Sequence, residues 1–210
     1  MKKISMVFII MVMGVILFSS GCSHTQKDNS ETSNDTTMVQ AAPPAYGGFE
    51  SQVAWGKHLV AIGGCHDCHT PKKMGPHGPE DNLDIALSGS PSQLPLPVID
   101  RKDIESKGLM VMGNSLSFVG PWGVSYAANL TSDTTTGIGN WTIEQFKNVF
   151  KTGKYGGAPG GRDLLPPMPW QNVAQMTDEE LEAVFAYLQS TKPVHNIVPQ
   201  PQLPVLAMTK

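Results

Sequence analysis

The chain lacks the excess of basic side chains that a nucleic-acid-binding protein needs. Its 15 Lys and Arg residues are outnumbered by 18 Asp and Glu residues, which gives a formal charge of -3 at pH 7. Because nucleic acid phosphates are bound by faces rich in Lys and Arg, no nucleic acid partner is expected. An internal repeat and a convincing strand pattern are also missing. With 21 Gly and 17 Pro residues, the sequence predicts one mainly α-helical domain with long loops.

The N-terminal hydrophobic run is too short to be a membrane-spanning helix. It covers residues 6–18, whereas a spanning helix needs roughly 20 apolar residues. Lys2 and Lys3 precede the run and a short Ser-Ser-Gly-Cys segment ends it at Cys22, an order typical of an export signal. The segment resembles a bacterial lipoprotein signal, which implies that residues 1–21 are removed and that Cys22 is acylated. Conventional cleavage and an uncleaved anchor are the alternatives.

Large apolar residues are also scarce in the segment that follows. Residues 22–47 are mostly small or polar, a composition that cannot bury enough surface to fold. We expect a disordered tether that holds the folded domain roughly 25 Å from the membrane. The folded domain is expected over residues 48–192. Residues 193–210 form a Pro-rich tail, which is expected to lie extended against the domain or in solvent.

Three helices are indicated by apolar residues at helical spacing and by start and stop signals. The first is predicted to end at Gly63-Gly64, the second to run from a capping box at Thr142 and Gln145 to Gly153, and the third from a capping box at Thr177 and Glu180 to a stop at Pro193. Scattered Pro and Gly residues predict loops over residues 71–121, apart from a short regular element at residues 104–112.

Cysteine is scarce, and two of the three cysteines form one motif with a histidine. Cys65 and Cys68 enclose two residues and are followed directly by His69, which is the Cys-x-x-Cys-His pattern of c-type haem attachment. Two thiols on one turn can reach both vinyl groups of one porphyrin, and the adjacent imidazole then lies beneath the iron. One covalent haem c is therefore predicted, with His69 as its proximal ligand.

Other interpretations of the motif require different partners. A structural zinc site needs four Cys or His ligands, and no second pair is present. A thioredoxin-like redox pair follows a strand, whereas Cys65 follows a helix-like segment. A disulfide between Cys65 and Cys68 suits an exported chain and stays open on spacing alone. No thiol is left over, however, because the third cysteine is the predicted lipidation site Cys22.

Met168 is the best candidate for a second axial ligand among 11 Met and 6 His residues. Prolines on both sides of Met168 restrict the backbone of residues 164–170 to a stiff, extended loop. Such a loop can hold a thioether at a fixed place against an iron atom. His77 or another His is the alternative nitrogen ligand, and an open sixth position is the remaining possibility.

Several segments accompany the haem motif at characteristic places in the chain. They are Cys-His-Asp-Cys-His-Thr-Pro at residues 65–71, Asn-Leu-Thr at 129–131, Thr-Gly-Ile-Gly-Asn-Trp at 136–141, Gly-Arg at 161–162 and Pro-Pro-Met-Pro-Trp at 166–170. Over roughly residues 48–192 this combination resembles class I cytochrome c domains, in particular those in the cytochrome subunits of membrane alcohol and gluconate dehydrogenases. Those subunits usually carry several haem motifs, whereas this chain has one.

The resemblance implies a helical cytochrome c fold with His69 and Met168 as the axial ligands. In that fold the helix before the motif crosses the C-terminal helix, and a small residue allows the two to approach. Gly56 suits this place, against Phe185 or Tyr187.

A few further side chains are candidates for contact with the haem. Arg162 could bind a propionate, because a guanidinium suits carboxylates, or could be a solvated surface residue. Trp122, Trp141 and Trp170 could wall the haem or donate an indole N–H to a propionate, or could simply pack in the core. By resemblance alone, the expected ring contacts are Ile138 and Pro167.

These features predict a single-haem electron carrier and not an enzyme. Ligation by His and Met raises the potential of a haem iron above that given by two nitrogen ligands. The expected partners are redox proteins, namely a dehydrogenase or quinol-oxidising complex and a terminal oxidase or reductase, at the periplasmic or outer face of a bacterial membrane. The alternatives are a haem-relay subunit fixed in a dehydrogenase or oxidase complex, and a haem enzyme or gas sensor with an open sixth position.

Overall fold

The computed structural model describes residues 45–205 of the chain. The predicted signal peptide, Cys22 and nearly all of the predicted tether therefore lie outside the described residues. The α-helices in the described part are α1 (Gln52–Ile62), α2 (Cys65–His69), α3 (Arg101–Ser106), α4 (Ile143–Thr152), α5 (Trp170–Val173) and α6 (Asp178–Gln189). Within residues 45–205, none of the helices is long and apolar enough to cross a membrane.

The three predicted helices correspond to α1, α4 and α6. Helix α1 ends at Gly63, as predicted. Both predicted capping boxes are present, at Thr142 for α4 and at Thr177 for α6, and in each the N-cap hydroxyl accepts a backbone N–H while the third helical residue bonds back to the cap. Helix α4 is then ended by Gly153 in the left-handed conformation. These boundaries were predictable because each signal is local.

Helices α1, α4 and α6 enclose the main core. Its buried members include Leu59 and Val60 from α1, Phe146, Val149 and Phe150 from α4, and Leu181, Val184 and Leu188 from α6. Burying side chains of this size contributes roughly 1.5–3 kcal/mol each. This shared apolar face therefore stabilises all three helices.

Gly56 lies where α1 packs directly against the backbone of α6. A Cβ atom at Gly56 would lie 1.8 Å from the carbonyl oxygen of Ala183 and 2.9 Å from the Cβ of Tyr187. The crossing thus uses Tyr187, one of the two residues expected there, together with the backbone of Ala183. Any side chain at position 56 would force the two helices apart.

Short strands occur within residues 71–121, where the sequence predicted loops, and a further strand follows up to residue 126, so the expectation of a fold without strands is wrong. They form an antiparallel hairpin of β1 (Lys72–Gly75) and β2 (Gly78–Asp81), and an antiparallel sheet of β3 (Val111–Gly113), β4 (Ser117–Gly120) and β5 (Gly123–Tyr126). Alternation of apolar and polar residues is missing because β4 and β5 are buried on both faces, while β1 and β2 are largely exposed. The predicted regular element at residues 104–112 spans the end of α3, a turn and the start of β3.

The described part of the Pro-rich tail lies against the domain, the first of the two expected arrangements. Gln202 pairs with Val124 of β5 through two backbone hydrogen bonds of 2.9 and 3.0 Å. The side chain of Asn196 donates to the carbonyl of Ser88 at 2.6 Å. Strand β5 is therefore bonded on one edge to β4 and on the other to the tail.

Replacing Gly56 with Ala tests the close crossing of α1 and α6. Alanine is favoured over glycine within a helix by about 1 kcal/mol, so helix propensity alone would stabilise the variant. We expect the clash with Ala183 to outweigh that gain and to lower the free energy of unfolding by roughly 1–3 kcal/mol. Equilibrium unfolding in guanidinium chloride, followed by far-UV circular dichroism, measures the change.

The exposed residue Ala61 on the same helix provides the matched control. Ala61→Gly changes helix propensity in the opposite sense without touching α6, and it should cost no more than about 1 kcal/mol. A Gly56→Ala variant that is more stable than the wild type would contradict the crossing described here.

Candidate functional site

The Cys-x-x-Cys-His motif forms the short helix α2 directly after α1. Gly64 separates the two helices with a φ of +65°, in the left-handed region that glycine adopts without strain. Cys65 and Cys68 are three residues apart on α2, so their side chains share one helix face. Both are half-buried, and Cys65 packs against the main core. The crossing of α1 over α6 therefore fixes the place of both thiols.

His69 ends α2 as a buried imidazole with a defined orientation. Its Nδ1 lies 2.8 Å from the carbonyl oxygen of Ala128. Because a carbonyl only accepts hydrogen bonds, Nδ1 carries the proton and the lone pair of Nε2 is left for another partner. Burial lowers the pKa of His69, although the bond to Ala128 acts in the opposite direction. The ring is therefore held neutral, which is the form that binds a metal ion.

Thr70 anchors the end of this helix to the chain that follows. Its Oγ1 accepts the backbone N–H of Leu87 at 2.9 Å, and the carbonyl of His69 accepts the N–H of Gly89 at 2.8 Å. Thr70 itself is fully buried. These bonds fix the backbone on which the imidazole of His69 is carried.

The other interpretations of the motif find no support in the described residues. Burial raises the pKa of the Cys65 thiol and of the Cys68 thiol, whereas a thioredoxin-like cysteine needs a lowered pKa. The pair follows helix α1 and not a strand, and the two thiols are not joined in a disulfide. Over residues 45–205, no group of three or more His, Cys, Asp or Glu side chains could hold a metal ion by itself.

Met168 lies in a loop that borders the same core as Cys65. The loop starts at Leu164. The backbone N–H of Leu164 donates to the carbonyl of Gly153, the residue that follows α4, at 2.7 Å. Met168 is partly buried and packs against the main core. Met168 and the neighbouring prolines, Pro167 among them, line a cleft of about 330 Å³. The structure thus brings the thioether and the motif to one apolar core.

Ile138 and Trp141 also border this core. Ile138 is only 2% exposed, and its carbonyl accepts a hydrogen bond of 2.8 Å from the side chain of Gln189 on α6. Trp141 contacts the ring of Tyr155 edge-on, with the ring centres 6.1 Å apart. The guanidinium of Arg162 lies over the Tyr155 ring, 4.4 Å from its centre. Tyr155 thus joins Trp141 and Arg162, two residues that the sequence suggested separately.

Trp122 has a hydrogen-bond partner within the protein, and His77 lies at the surface. The indole N–H of Trp122 donates to the hydroxyl of Ser125 at 3.2 Å, so it is not available to a propionate. His77 is exposed at the turn between β1 and β2. Trp170 packs over Gly153, where a Cβ would lie 2.7 Å from its ring.

Sequence reasoning missed the acceptor of His69 and the anchoring role of Thr70. Ala128 acts through its backbone carbonyl, which every residue has, so the residue type at this position does not reveal the bond. Thr70 directly follows the motif, and that position beside His69 was the one available signal in the sequence.

The chain is similar to cytochrome subunits of several bacterial dehydrogenases. It is 39% identical over 85 residues to the fructose dehydrogenase cytochrome subunit of Gluconobacter japonicus, covering 40% of this chain and 17% of that subunit. It is 33% identical over 96 residues to the gluconate 2-dehydrogenase cytochrome c subunit of Pantoea cypripedii, covering 46% and 20%. It is 34% identical over 89 residues to the cytochrome c subunit of the quinone alcohol dehydrogenase of Gluconacetobacter polyoxogenes, covering 42% and 18%. The matched region therefore spans a fifth or less of each relative's length.

The residues brought together here fit a covalently attached haem. Two thiols lie on one face of α2, His69 is neutral with its Nε2 lone pair free of the bond to Ala128, and a cleft lined by Met168 borders the same core. The family model for cytochrome c matches residues 53–192, which is more than half of the chain. The chain therefore belongs to the cytochrome c family, whose members hold a covalent haem c.

Proposed function

We propose that this chain is a single-haem electron carrier whose haem is attached through Cys65 and Cys68 and ligated by His69 and Met168. The observation that carries the proposal is the state of His69. At the end of a Cys-x-x-Cys-His helix, a buried and neutral imidazole uses Nδ1 for the carbonyl of Ala128. This is the arrangement that a haem-ligating histidine requires, because a second bond fixes the ring and its tautomer.

The protein's own residues attach, orient and enclose the cofactor. When bound, haem c supplies reversible one-electron chemistry between ferrous and ferric iron. Cys65 and Cys68 hold the ring by covalent bonds, so a small apolar pocket is sufficient. Met168 would supply the sixth ligand, which would raise the potential relative to two nitrogen ligands and leave no open position for oxygen or peroxide. No substrate bond needs to change, which makes the role that of a carrier.

Four further residues are proposed as haem contacts. Ile138 is buried at the same core as Cys65 and Met168, and Pro167 lines the cleft beside Met168. Trp141 is partly buried and packs against that core. Arg162 is held over Tyr155, next to Trp141, where a guanidinium could bind a propionate. Together these contacts would exclude water from the porphyrin faces while leaving charge at the propionate edge.

The proposed donors and acceptors are redox proteins. The relatives' names describe cytochrome subunits of fructose, gluconate and alcohol dehydrogenases, which favours a dehydrogenase as the electron donor. A quinol-oxidising complex is an alternative donor, and a terminal oxidase or reductase would collect the electron. The same names favour a second candidate, in which the domain is a relay subunit fixed in such a complex. The two differ in whether the contact is transient.

The N-terminal residues are proposed to anchor the domain to a bacterial membrane. Residues 1–21 have the order of a lipoprotein signal, and Cys22 would carry the lipid. A polar tether over residues 22–47 would let the domain turn towards a donor and then an acceptor. The domain would thereby act at the periplasmic or outer face of the membrane.

Met168→Ala tests the sixth ligand. Removing the thioether opens the coordination position, so the ferric protein should lose the long-wavelength absorption that a sulfur ligand gives and its midpoint potential should fall. The reduced variant should bind carbon monoxide rapidly, whereas the wild type should bind it slowly and incompletely. Absorption spectroscopy during a redox titration measures all three changes.

Met74→Ala is the matched control, because Met74 is 80% exposed on β1 and lies near the motif in sequence. Its spectrum and potential should equal those of the wild type. If Met168→Ala also leaves the ferric spectrum and the potential unchanged, Met168 is not the ligand. Rapid, complete carbon monoxide binding by the wild type would instead favour an enzyme or gas sensor.

Cys22→Ser tests the lipid anchor. Cells fed a labelled fatty acid should incorporate the label into the wild-type protein and not into the variant, because serine offers no thiol for acylation. The wild type should also partition into the detergent phase of a Triton X-114 extract, and the variant into the aqueous phase. Ser30→Ala, further along the proposed tether, should behave like the wild type. A labelled Cys22→Ser protein would exclude Cys22 as the lipid site.

Isolation of the protein from the native membrane tests whether it is a carrier or a fixed relay subunit. A carrier uses a small and transient interface, so in mild detergent it should migrate mostly without a partner. Size-exclusion chromatography followed by haem staining and mass spectrometry makes the comparison. Co-elution with a dehydrogenase or an oxidase at a fixed ratio, retained in high salt, would favour the relay subunit over the carrier.

A further inference from the structure

The loop that carries Met168 has few backbone N–H groups that could form hydrogen bonds within it. Positions 166, 167 and 169 are proline, which has no backbone N–H. Within residues 164–169, the only backbone bond between two loop residues is a long one of 3.3 Å, from Met168 to the carbonyl of Leu165. A loop of this kind keeps its place only if groups outside it provide bonds and contacts.

Ser125 provides such a bond from strand β5. Its hydroxyl donates to the carbonyl oxygen of Pro166 at 2.5 Å, and it accepts the indole N–H of Trp122 at 3.2 Å. Ser125 is 7% exposed, so this bond is shielded from water. Among the residues that the structure describes, no other side chain donates a hydrogen bond to residues 164–169.

The strand that carries Ser125 is itself held firmly. Val124 is fully buried and is bonded to Gln202 of the tail on one edge, while β4 pairs with the other edge. At Gly123, a Cβ would lie 2.1 Å from the carbonyl oxygen of Gln202. Because β5 cannot shift easily, the hydroxyl of Ser125 is presented to Pro166 at a fixed place.

We propose that Ser125 is a positioning residue for Met168, and that the bond from Ser125 to Pro166 sets how firmly the thioether is held against the haem iron. The proposal rests on the function proposed above, in which Met168 is the sixth ligand. Pro166 is two residues from Met168, and the prolines between and beside them transmit a shift of the loop with little change of shape. Losing the bond leaves the carbonyl of Pro166 without its partner and loosens the ligand.

Ser125→Ala should make the sixth position easier to occupy by an external ligand. Imidazole added to the ferric, haem-loaded protein competes with the thioether, and its dissociation constant reports how firmly Met168 is held. Loss of one ordinary hydrogen bond should lower that constant by roughly three- to tenfold. Ser125→Thr keeps the hydroxyl and should restore a value close to that of the wild type.

Ser117→Ala is the matched control for a merely structural effect. Ser117 lies in the same sheet on β4, is similarly buried at 6% exposure, and donates its hydroxyl to the carbonyl of Gly113 at 3.0 Å. It has no bond to the Met168 loop. Ser117→Ala should therefore lower the midpoint of chemical unfolding to a similar extent as Ser125→Ala, without changing the imidazole dissociation constant.

Trp122→Phe provides a second route if Ser125→Ala fails to fold. It keeps an aromatic ring over Gly120 but removes the N–H that orients the hydroxyl of Ser125. The imidazole dissociation constant should shift in the same direction as in Ser125→Ala and by a smaller factor.

The outcomes separate this inference from the proposed function. Equal imidazole dissociation constants for the wild type, Ser125→Ala and Ser117→Ala would overturn the positioning role, and so would equal shifts in the two alanine variants. Met168→Ala is measured in the same titration. If it binds imidazole much more tightly than the wild type while Ser125→Ala is unchanged, Met168 remains the ligand and only the positioning role fails. If Met168→Ala is unchanged, both fail.

Discussion

The close crossing of α1 and α6 at Gly56 is the constraint on which the rest of the structure depends. Because position 56 has no side chain, the backbone of Ala183 can lie against α1, and both helices then share one core with α4. The motif helix α2 follows α1 after two residues, so the crossing also places Cys65 and Cys68. A wider crossing would move the thiols and the core together, and the cofactor's attachment would lose its fixed relation to the Met168 loop.

The two proposed axial ligands lie on parts of the chain that differ in how firmly they are held. His69 belongs to a helix, is buried, and has its ring fixed by the carbonyl of Ala128. Met168 lies on a proline-rich loop with little internal hydrogen bonding, whose carbonyl at Pro166 is bonded by Ser125. A neutral hydrogen bond contributes only about 1 kcal/mol on either side, but His69 also has the support of a helix, so the methionine side is the softer of the two. An iron ligand on this side is therefore the one that would be displaced first.

The sequence predicted the parts of the molecule whose signals are local. The motif at residues 65–69, the capping boxes at Thr142 and Thr177 and the glycine stop after α4 each depend on a few neighbouring residues, and the structure has them where they were expected. The sheet at residues 111–126 was missed because its central strands are buried on both faces and show no alternation. The extended tail was expected, but its pairing with β5 depends on residues far apart in the chain.

The contacts that support the site could not be predicted either, because they join residues far apart in the chain. They also connect the missed sheet to the proposed haem site. Ser125 and Ala128 are three residues apart, and one bonds the Met168 loop while the other bonds His69. In both contacts the acceptor is a backbone carbonyl, which any residue could supply, so no side-chain pattern reveals them. A single short segment at residues 125–128 thus holds both sides of the proposed haem site, and a displacement of β5 would act on both ligands at once. Strand β5 is bonded to β4 on one edge and to the tail on the other. These bonds therefore keep the two proposed ligands in place, in addition to stabilising the sheet.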